Sequence, residues 1–355
     1  MVKEPAVNIT KDMLRLIAGI DEFKGAWQAL GNLAPERLLA LKKVATIESV
    51  GSSTRIEGVK LTDKEVGALL AGIDTRSFRS RDEQEVAGYA AAMNVIFDAF
   101  GDIPLTENHI KQLHGTLLRY SDKDIRHRGE YKKLPNHVQA LDQNGNSLGV
   151  VFQTASPFDT PMKMKALVNW TGNTFEQKDL HPLLIIAVFV VHFLAIHPFQ
   201  EGNGRLSRIL TTLLLLQNGY DYVPYSSLES IVEQNKDRYY LALRKAQKTI
   251  DTDDAGLENW LVFFLTCMKK QKDRLSQKVE REHKMTGLSA LSAQILQIVK
   301  EHGQARISDI QIITSANRNT IKVRLRELVE NNYLLKHGKG KATRYTLGRR
   351  DRLTT

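Results

Sequence analysis

The residues best placed to do chemistry in this chain lie between 197 and 208, where the sequence reads HPFQEGNGRLSR. His197 accepts a proton near neutral pH, so it is a candidate general base. Glu201 offers a hard carboxylate that suits Mg²⁺ held against phosphate oxygens. Arg205 and Arg208 are three residues apart, so both cations lie on one helix face. The stretch therefore predicts chemistry on a phosphate-bearing ligand.

Two apolar segments flank this stretch and must position it: residues 182–196 before it and 209–216 after it. The pattern predicts a helix, a tight loop and a second helix. The backbone N–H groups of Gly202, Asn203 and Gly204 converge where the second helix begins. Amide dipoles and a helix N-terminus make an anion site there. A polyphosphate is the ligand that this geometry predicts.

The stretch matches every defined position of the Fic motif, His-x-Phe-x-(Asp/Glu)-Gly-Asn-Gly-Arg-x-x-Arg, so the chain resembles Fic-domain proteins. Most of these are protein adenylyltransferases, which move AMP from ATP onto a side-chain hydroxyl. The resemblance implies that activity here, with ATP as substrate, Mg²⁺ as cofactor and a protein bearing a Ser, Thr or Tyr hydroxyl as target. It also implies that His197 deprotonates the hydroxyl, Phe199 anchors the loop in the core and Glu201 coordinates Mg²⁺.

The phosphate-binding roles are implied in the same way. Asn203 and the loop amides hold the α-phosphate region, while Arg205 and Arg208 bind the β- and γ-phosphates and help pyrophosphate to leave. Positioning and charge neutralisation dominate in such transfers. Gly204 implies adenylylation, because family members with Lys at that position act as kinases.

A second match lies upstream, where residues 53–58 read STRIEG and fit the inhibitory motif of self-restrained Fic proteins, (Ser/Thr)-x-x-x-Glu-(Gly/Asn), with Ser53 in first place. Apolar spacing predicts a helix over 35–57, and Gly58 directly after it is the stop signal. A carboxylate in the last turn opposes the helix dipole, so Glu57 needs a cation. The resemblance implies that this cation is Arg208, which would prevent ATP from seating its γ-phosphate. Glu57 could instead orient a water for removal of AMP.

Asn144-Gly145 separates two β-prone runs, 136–142 and 148–153, and predicts a β-hairpin. In Fic proteins this hairpin is a flap, and the target chain pairs with its edge. Four residues before it are candidate phosphate or target contacts: Arg126, Arg128, Tyr131 and Lys132. Further along, the segment 235–243 resembles the family's adenine pocket. Asn235 would bond a base edge, and Tyr239 or Tyr240 would line the wall.

The charge of the chain is concentrated at its C-terminal end. The 355 residues carry a net charge of +10, and residues 285–355 contain thirteen Lys and Arg against five Asp and Glu, a net of +8. Helical patterns at 291–301, 307–314 and 317–331, followed by strands at 333–336 and 343–347, resemble a winged helix-turn-helix. Its candidate DNA or partner contacts are Arg318, Asn319, Lys322, Arg326, Lys339 and Lys341. Protein docking by the same module is the alternative.

The fold class predicted from these patterns is mainly α, a helical Fic fold with a β-hairpin flap and a C-terminal winged helix-turn-helix domain. Residues 1–100 form a helical region carrying the inhibitory motif, 101–284 the Fic catalytic domain and a helical connector, and 285–355 the winged helix. The alternative function is a DNA-binding regulator whose Fic domain senses nucleotide, or a de-AMPylase that uses Glu57. A homodimer is left open.

Composition points to a cytoplasmic protein without a membrane partner. The single cysteine, Cys267, lies in an apolar helical stretch and suits a core thiol in a reducing compartment. The longest apolar run, 182–196, is shorter than the roughly 18 residues of a membrane span. Residues 1–5 lack the apolar region of a secretion signal.

Overall fold

Helices account for most of the regular structure, as the sequence predicts. The computed structural model describes residues 7–29, 35–72, 78, 80–136, 138–141, 147–250, 256–285, 289–338, 340 and 343–348. The helices of this part of the chain are α1 (Lys11–Ala29), α2 (Pro35–Ile56), α3 (Asp63–Ala71), α4 (Arg81–Ala99), α5 (Glu107–Leu117), α6 (Thr160–Gln177), α7 (Pro182–Ile196), α8 (Asn203–Gln217), α9 (Leu228–Gln234), α10 (Lys236–Thr249), α11 (Gly256–Met285), α12 (Ala290–His302), α13 (Ile307–Thr314) and α14 (Arg318–Glu330).

In the part of the chain that the structure describes, four strands form two antiparallel pairs. β1 (Val138–Leu141) pairs with β2 (Ser147–Phe152), and β3 (Leu334–His337) pairs with β4 (Arg344–Leu347). The first pair is the predicted hairpin, although its Asn144-Gly145 turn lies outside the described residues. Among the described residues, no helix combines the length and the apolar character that a membrane crossing requires.

Contacts divide the chain into two compact units. The first comprises residues 1–29 and 39–273, and the second comprises residues 30–38 and 274–355. Apart from residues 35–38 at the start of α2, the helices before residue 100 therefore belong to the first unit.

The centre of the first unit is the antiparallel pair α7 and α8. α7 is apolar on all sides and buried along nearly its whole length, because α6, α8 and α10 pack around it. His181 caps its first turn, with Nδ1 accepting a hydrogen bond from the Leu183 N–H, and Pro182 occupies the first helical position. α4 and α5 pack against α8. Both ends of the loop between α7 and α8 are thus attached to helices that are packed in the interior of the unit.

The second unit contains the winged helix that the sequence predicts. Its core consists of Ile295, Ile298, Val299, Ala305, Ile310, Ile321, Leu325, Leu328, Leu334 and Tyr345. These side chains come from α12, α13, α14 and the β3–β4 pair, and Ala305 adds one bridge to Tyr345. The opposite face of α14 is left to solvent.

Candidate active site

The loop between α7 and α8 begins at His197, which adopts a left-handed conformation with φ 53°. Its backbone N–H donates to the Phe193 carbonyl, and its Nδ1 lies 3.3 Å from the Leu194 carbonyl oxygen. Because a carbonyl only accepts, Nδ1 carries the proton and Nε2 keeps its lone pair. Burial lowers the pKa of His197 to about 4, so the ring is neutral at pH 7. This is the protonation state that a general base needs.

The middle of the loop is held by a second histidine, His114 of α5, which the sequence did not single out. Phe199 is fully buried, as predicted, and stacks on the His114 ring at 3.8 Å. The His114 Nδ1 accepts the Gly129 N–H at 3.0 Å, so its Nε2–H donates to the Glu201 carbonyl at 3.0 Å. One imidazole therefore fixes both the anchor and the backbone of the candidate metal ligand.

The Asn203 side chain holds the loop, and the phosphate role expected for Asn203 stays a prediction. Its Oδ1 accepts the Phe199 N–H at 2.9 Å, and its Nδ2 donates to the Phe199 carbonyl at 2.6 Å. The side-chain oxygen and one of the two amide N–H donors of Asn203 are thus used on one residue, and its backbone N–H lies at the start of α8. Gly202 precedes it with φ 79°, a conformation that suits glycine, and opens α8.

Arg205 points into the protein from the first turn of α8. Its Nη1 donates to Glu85 of α4 at 2.9 Å, and Glu85 also accepts from Arg81 at 2.7 Å. The Arg205 side chain is only 4% exposed. Its Nε finds no partner among the described residues, so one buried donor remains for a ligand.

Arg208 makes the ion pair expected with Glu57. Its Nη2 donates to the Glu57 carboxylate at 2.8 Å and to the Ser53 carbonyl at 2.9 Å, while its Nε donates to the Ser53 hydroxyl at 2.7 Å. Burial disfavours the Glu57 carboxylate, but the Arg208 charge outweighs it, so the pKa of Glu57 lies below its ordinary value. Nη1 of Arg208 has no partner within the described part of the chain.

Glu57 also covers the start of α8. A Cβ built on Gly204 would overlap the Glu57 carboxylate, so the two residues are in direct contact. The first N–H groups of a helix lack intrahelical acceptors and attract anions. Glu57 is thus an internal anion at the site where a phosphate is expected.

Polar contacts of the two residues before Glu57, here called the clasp, hold it in this place. Arg55 makes a bidentate pair with Glu233 of α9, at 2.7 and 3.0 Å, and the Lys236 ammonium donates to the Ile56 carbonyl at 2.8 Å. Arg55 and Ile56 directly precede Glu57, so the end of α2 is tied to α9 and α10. The sequence pattern did not indicate this contact, because its partners lie about 180 residues apart.

Glu201 suits a single Mg²⁺ ligand. Its carboxylate is 40% exposed and lies 3.7 Å from the Lys123 ammonium. No cluster of three or more metal-binding side chains occurs among the described residues. Mg²⁺ in nucleotide sites is held by one or two carboxylates with phosphate oxygens and waters. A single exposed carboxylate two residues before α8 therefore suits this cation as a candidate ligand.

The adenine-pocket residues are only partly placed as expected. The Asn235 side chain donates to the Ile231 carbonyl at 2.7 Å and accepts from Lys270 at 3.3 Å, so it caps α9 instead of facing a base. Tyr239 is buried against Trp260, with ring centroids 5.9 Å apart. It lines a cavity of about 30 Å³ that Arg208 also lines, so it packs beside Arg208.

Of the four candidate phosphate or target contacts before the hairpin, three are held by contacts within the protein. Arg128 donates to the Ser121 carbonyl at 2.7 Å, and Tyr131 donates to Glu107 at 2.7 Å. Lys132 is buried. Of the four, Arg126 is the one that is exposed.

The winged helix presents most of its candidate contacts on one surface. Arg318, Asn319, Lys322 and Arg326 are exposed on α14, while Ile321 and Leu325 of the same helix are buried. Asn319, Lys322 and Arg326 line a groove of about 690 Å³ together with Lys336 of β3. Lys339 and Lys341 lie outside the described residues.

The buried histidines predict acid sensitivity. Burial lowers the pKa of His114 to about 4, whereas an unfolded histidine titrates near pH 6.5. The unfolded chain therefore binds the proton first, and stability is lost as pH falls from about 6.5 to 4. We expect His114→Phe to recover about 2–3 kcal/mol of that loss, measured at pH 4.5 relative to pH 7 by urea unfolding.

Tryptophan fluorescence suits this measurement, because the three tryptophans, Trp27, Trp170 and Trp260, all lie in the first unit. His302→Phe, at an exposed position of α12, is the matched control. An unchanged pH dependence in His114→Phe would contradict the assignment.

Comparisons with known proteins bear on this geometry. The family model described as Fic/DOC family matches residues 104–215, which include the whole loop from His197 to Arg208. The crystal structure of a Fic family protein from Desulfovibrio desulfuricans G20 superposes with a TM-score of 0.63 at 23% identity, covering 98% of this chain and 99% of that one. The chain contains a Fic domain.

A Fic domain containing signaling protein from Bacteroides thetaiotaomicron VPI-5482 shares the fold, with a TM-score of 0.60 at 25% identity over 77% of this chain and 98% of that one. A curated relative named protein adenylyltransferase Fic, from Drosophila grimshawi, is 27% identical over 266 residues, which are 74% of this chain and 49% of the relative. The chain thus spans about half the length of the curated relatives it matches.

A second family model, described as penicillinase repressor, matches residues 288–352. This range coincides with the winged helix of the second unit. The chain accordingly joins a Fic domain to a winged helix-turn-helix domain.

Proposed function

We propose that this protein is an adenylyltransferase, which transfers AMP from ATP to a side-chain hydroxyl of a protein target. The observation that carries the proposal is the arrangement of the Fic loop. A neutral His197 with a free Nε2 lone pair stands at one end, and the N-terminus of α8 with two buried arginines stands at the other. The names of the curated relatives agree with this activity.

The residues of the loop have separate roles in the transfer. His197 accepts the proton of the target hydroxyl at Nε2 as the oxygen attacks the α-phosphorus. The N–H groups at the start of α8 bind the phosphate oxygens. Nε of Arg205 and Nη1 of Arg208, which have no partner among the described residues, are available to the phosphates that leave as pyrophosphate.

Glu201 would hold Mg²⁺ in this reaction. The cation supplies positive charge that neutralises the phosphate oxygens during transfer. Glu201 is exposed enough to reach a bound nucleotide, and His114 fixes its backbone. The side chain therefore needs no rearrangement of the loop to serve as the ligand.

Glu57 would restrain the reaction. It pairs with Arg208 and covers Gly204, so its carboxylate competes with phosphate for both the cation and the helix N-terminus. A triphosphate would have to displace it to bind productively. The pair of Glu57 and Arg208 therefore favours the restrained state as long as no triphosphate is bound.

Position-labelled ATP tests the reaction type. We expect protein to acquire label from ATP labelled at the α-phosphate and to acquire none from ATP labelled at the γ-phosphate. One pyrophosphate should be released for each AMP that the protein acquires. Label from the γ-phosphate would indicate a kinase and would contradict the proposal.

The clasp of Arg55 and Glu233 predicts a partial release of the restraint. Glu233→Gln removes the charge that holds Arg55, and a half-buried pair of this kind contributes about 1 kcal/mol. We expect the rate of AMP incorporation to rise about fivefold. Asp273→Asn, which breaks a pair within α11, is the control and should leave the rate unchanged. An equal rise in both variants would show that the clasp has no specific role.

The second candidate function is DNA binding through the winged helix. It is favoured by the groove that Asn319, Lys322, Arg326 and Lys336 line, and by the match to the penicillinase repressor model. Titration of duplex DNA at several salt concentrations tests it, since phosphate contacts make affinity fall steeply with salt. Lys322→Ala should reduce the slope of log affinity against log salt concentration by about one. Salt-independent or absent binding would leave the winged helix without a DNA role.

A further inference from the structure

Lys132 is a buried lysine next to the Fic loop, and the reaction described above does not use it. The side chain belongs to the segment that leads into β1, and the residue is 3% exposed. Its ammonium donates to the Asn136 Oδ1 at 2.8 Å, the Thr154 hydroxyl at 3.0 Å and the Ile196 carbonyl at 3.0 Å. An ammonium has three protons, so every donor is used.

These acceptors lead directly to the general base. Ile196 is the last residue of α7, where helix carbonyls lack partners and a cation is favoured. Asn136 donates in turn to the carbonyls of His197, at 3.3 Å, and Phe199, at 2.6 Å. The backbone N–H of Lys132 adds a bond to the Pro198 carbonyl at 2.8 Å. Each backbone carbonyl from residue 196 to 199 is thereby bonded to Lys132 or Asn136.

The same cluster joins both stems of the β1–β2 hairpin. Lys132 and Asn136 precede β1, and Thr154 follows β2. The Thr154 hydroxyl donates to the Asn136 Oδ1 at 3.1 Å, which closes the network. The base of the hairpin and the loop of the general base are therefore one hydrogen-bonded assembly.

We propose that Lys132 is a positioning residue that sets the place of His197 and couples it to the hairpin, and that it binds neither phosphate nor target. This inference rests on the proposed adenylyl transfer. Misplacing a reacting group by about 1 Å costs on the order of 100-fold in rate. Loss of the ammonium should thus lower kcat and leave the affinity for ATP unchanged.

The charge of Lys132 supplies a second readout. Among charged groups acting on His197, Lys132 lowers its pKa and Glu57 raises it. In a Glu57→Gly background the second influence is absent. Removing Lys132 there should raise the pKa of His197, a shift that a purely structural role would not produce.

The test compares Lys132→Met with Lys133→Met in the Glu57→Gly background, because Lys133 is the exposed neighbour. We expect Lys132→Met to lower kcat about 10–100-fold with the ATP Kd within about twofold. Lys133→Met should have the same kcat and the same ATP Kd as the Glu57→Gly parent. NMR titration of ¹³C-labelled histidine, with His197 assigned by His197→Ala, should show a higher His197 pKa in Lys132→Met only.

The outcomes separate this inference from the proposed function. If the Glu57→Gly parent transfers no AMP, adenylyl transfer fails, and the NMR titration still decides whether Lys132 acts on His197. Equal loss of kcat and ATP affinity would make Lys132 a phosphate ligand and overturn the inference, as would unchanged kcat and pKa. If Lys132→Met does not fold, Thr154→Val removes one arm of the network and should lower kcat in the same sense.

Discussion

Glu57→Gly should raise the rate of AMP incorporation into the protein and its targets about 10–100-fold. The variant removes a charged hydrogen bond to Arg208 worth roughly 1.5–3 kcal/mol, and each 1.4 kcal/mol is about a factor of ten. It also uncovers Gly204 and the first N–H groups of α8. Labelled AMP incorporation, measured at saturating ATP and magnesium, gives the rate.

Glu57→Gln is the matched variant, since it keeps the size of the side chain and removes its charge. Its rate should lie between those of the parent and Glu57→Gly. In both variants Arg208 is buried without its carboxylate, so the thermal midpoint should fall and ATP should restore it by binding the folded state. Unchanged rates in both variants would show that Glu57 is not inhibitory.

The same variant separates the de-AMPylase alternative from the restraint. If Glu57 orients a water, Glu57→Gly should lose the ability to release AMP from protein that was labelled beforehand. If Glu57 only competes with phosphate, release should be absent in the parent as well. A chase with unlabelled ATP distinguishes the two.

His197→Ala, in the Glu57→Gly background, should lower AMP transfer about 10²–10⁴-fold, the range expected for loss of a general base. The affinity for ATP should stay within about twofold, because His197 is not among the phosphate donors. Calorimetric titration with ATP and magnesium measures the affinity. His302→Ala, an exposed histidine of the second unit, is the control for loss of a ring. Transfer that persists in His197→Ala would remove His197 from the role of base.

The order of elements around the site could be predicted because it depends on local pattern. The apolar run before His197 matches α7 residue for residue, and the predicted end of α2 differs by one residue, at Ile56 instead of Glu57. The family resemblance implied that Arg208 pairs with Glu57, and the structure contains this pair. Short-range periodicity and capping carry enough information for the helix bounds.

The directions of side chains could not be predicted in the same way. Asn203 and Asn235 are residue types that suit a nucleotide, but the amide nitrogen of each donates to a nearby backbone carbonyl. Lys132 is a candidate phosphate or target contact in the sequence, but its ammonium donates to the Ile196 carbonyl, which is 64 residues away. Glu85 meets Arg205 across 120 residues. Such contacts depend on tertiary packing, which local spacing does not record.

We propose that His197 and the start of α8 hold ATP for transfer to a hydroxyl. A crystal structure of the Glu57→Gly variant with magnesium and a non-hydrolysable ATP analogue tests this arrangement. We predict phosphate oxygens on the N–H groups that begin α8, with Nε2 of His197 on the side from which a hydroxyl reaches the α-phosphorus. A nucleotide bound elsewhere, or Nε2 turned away from the α-phosphorus, would contradict the account.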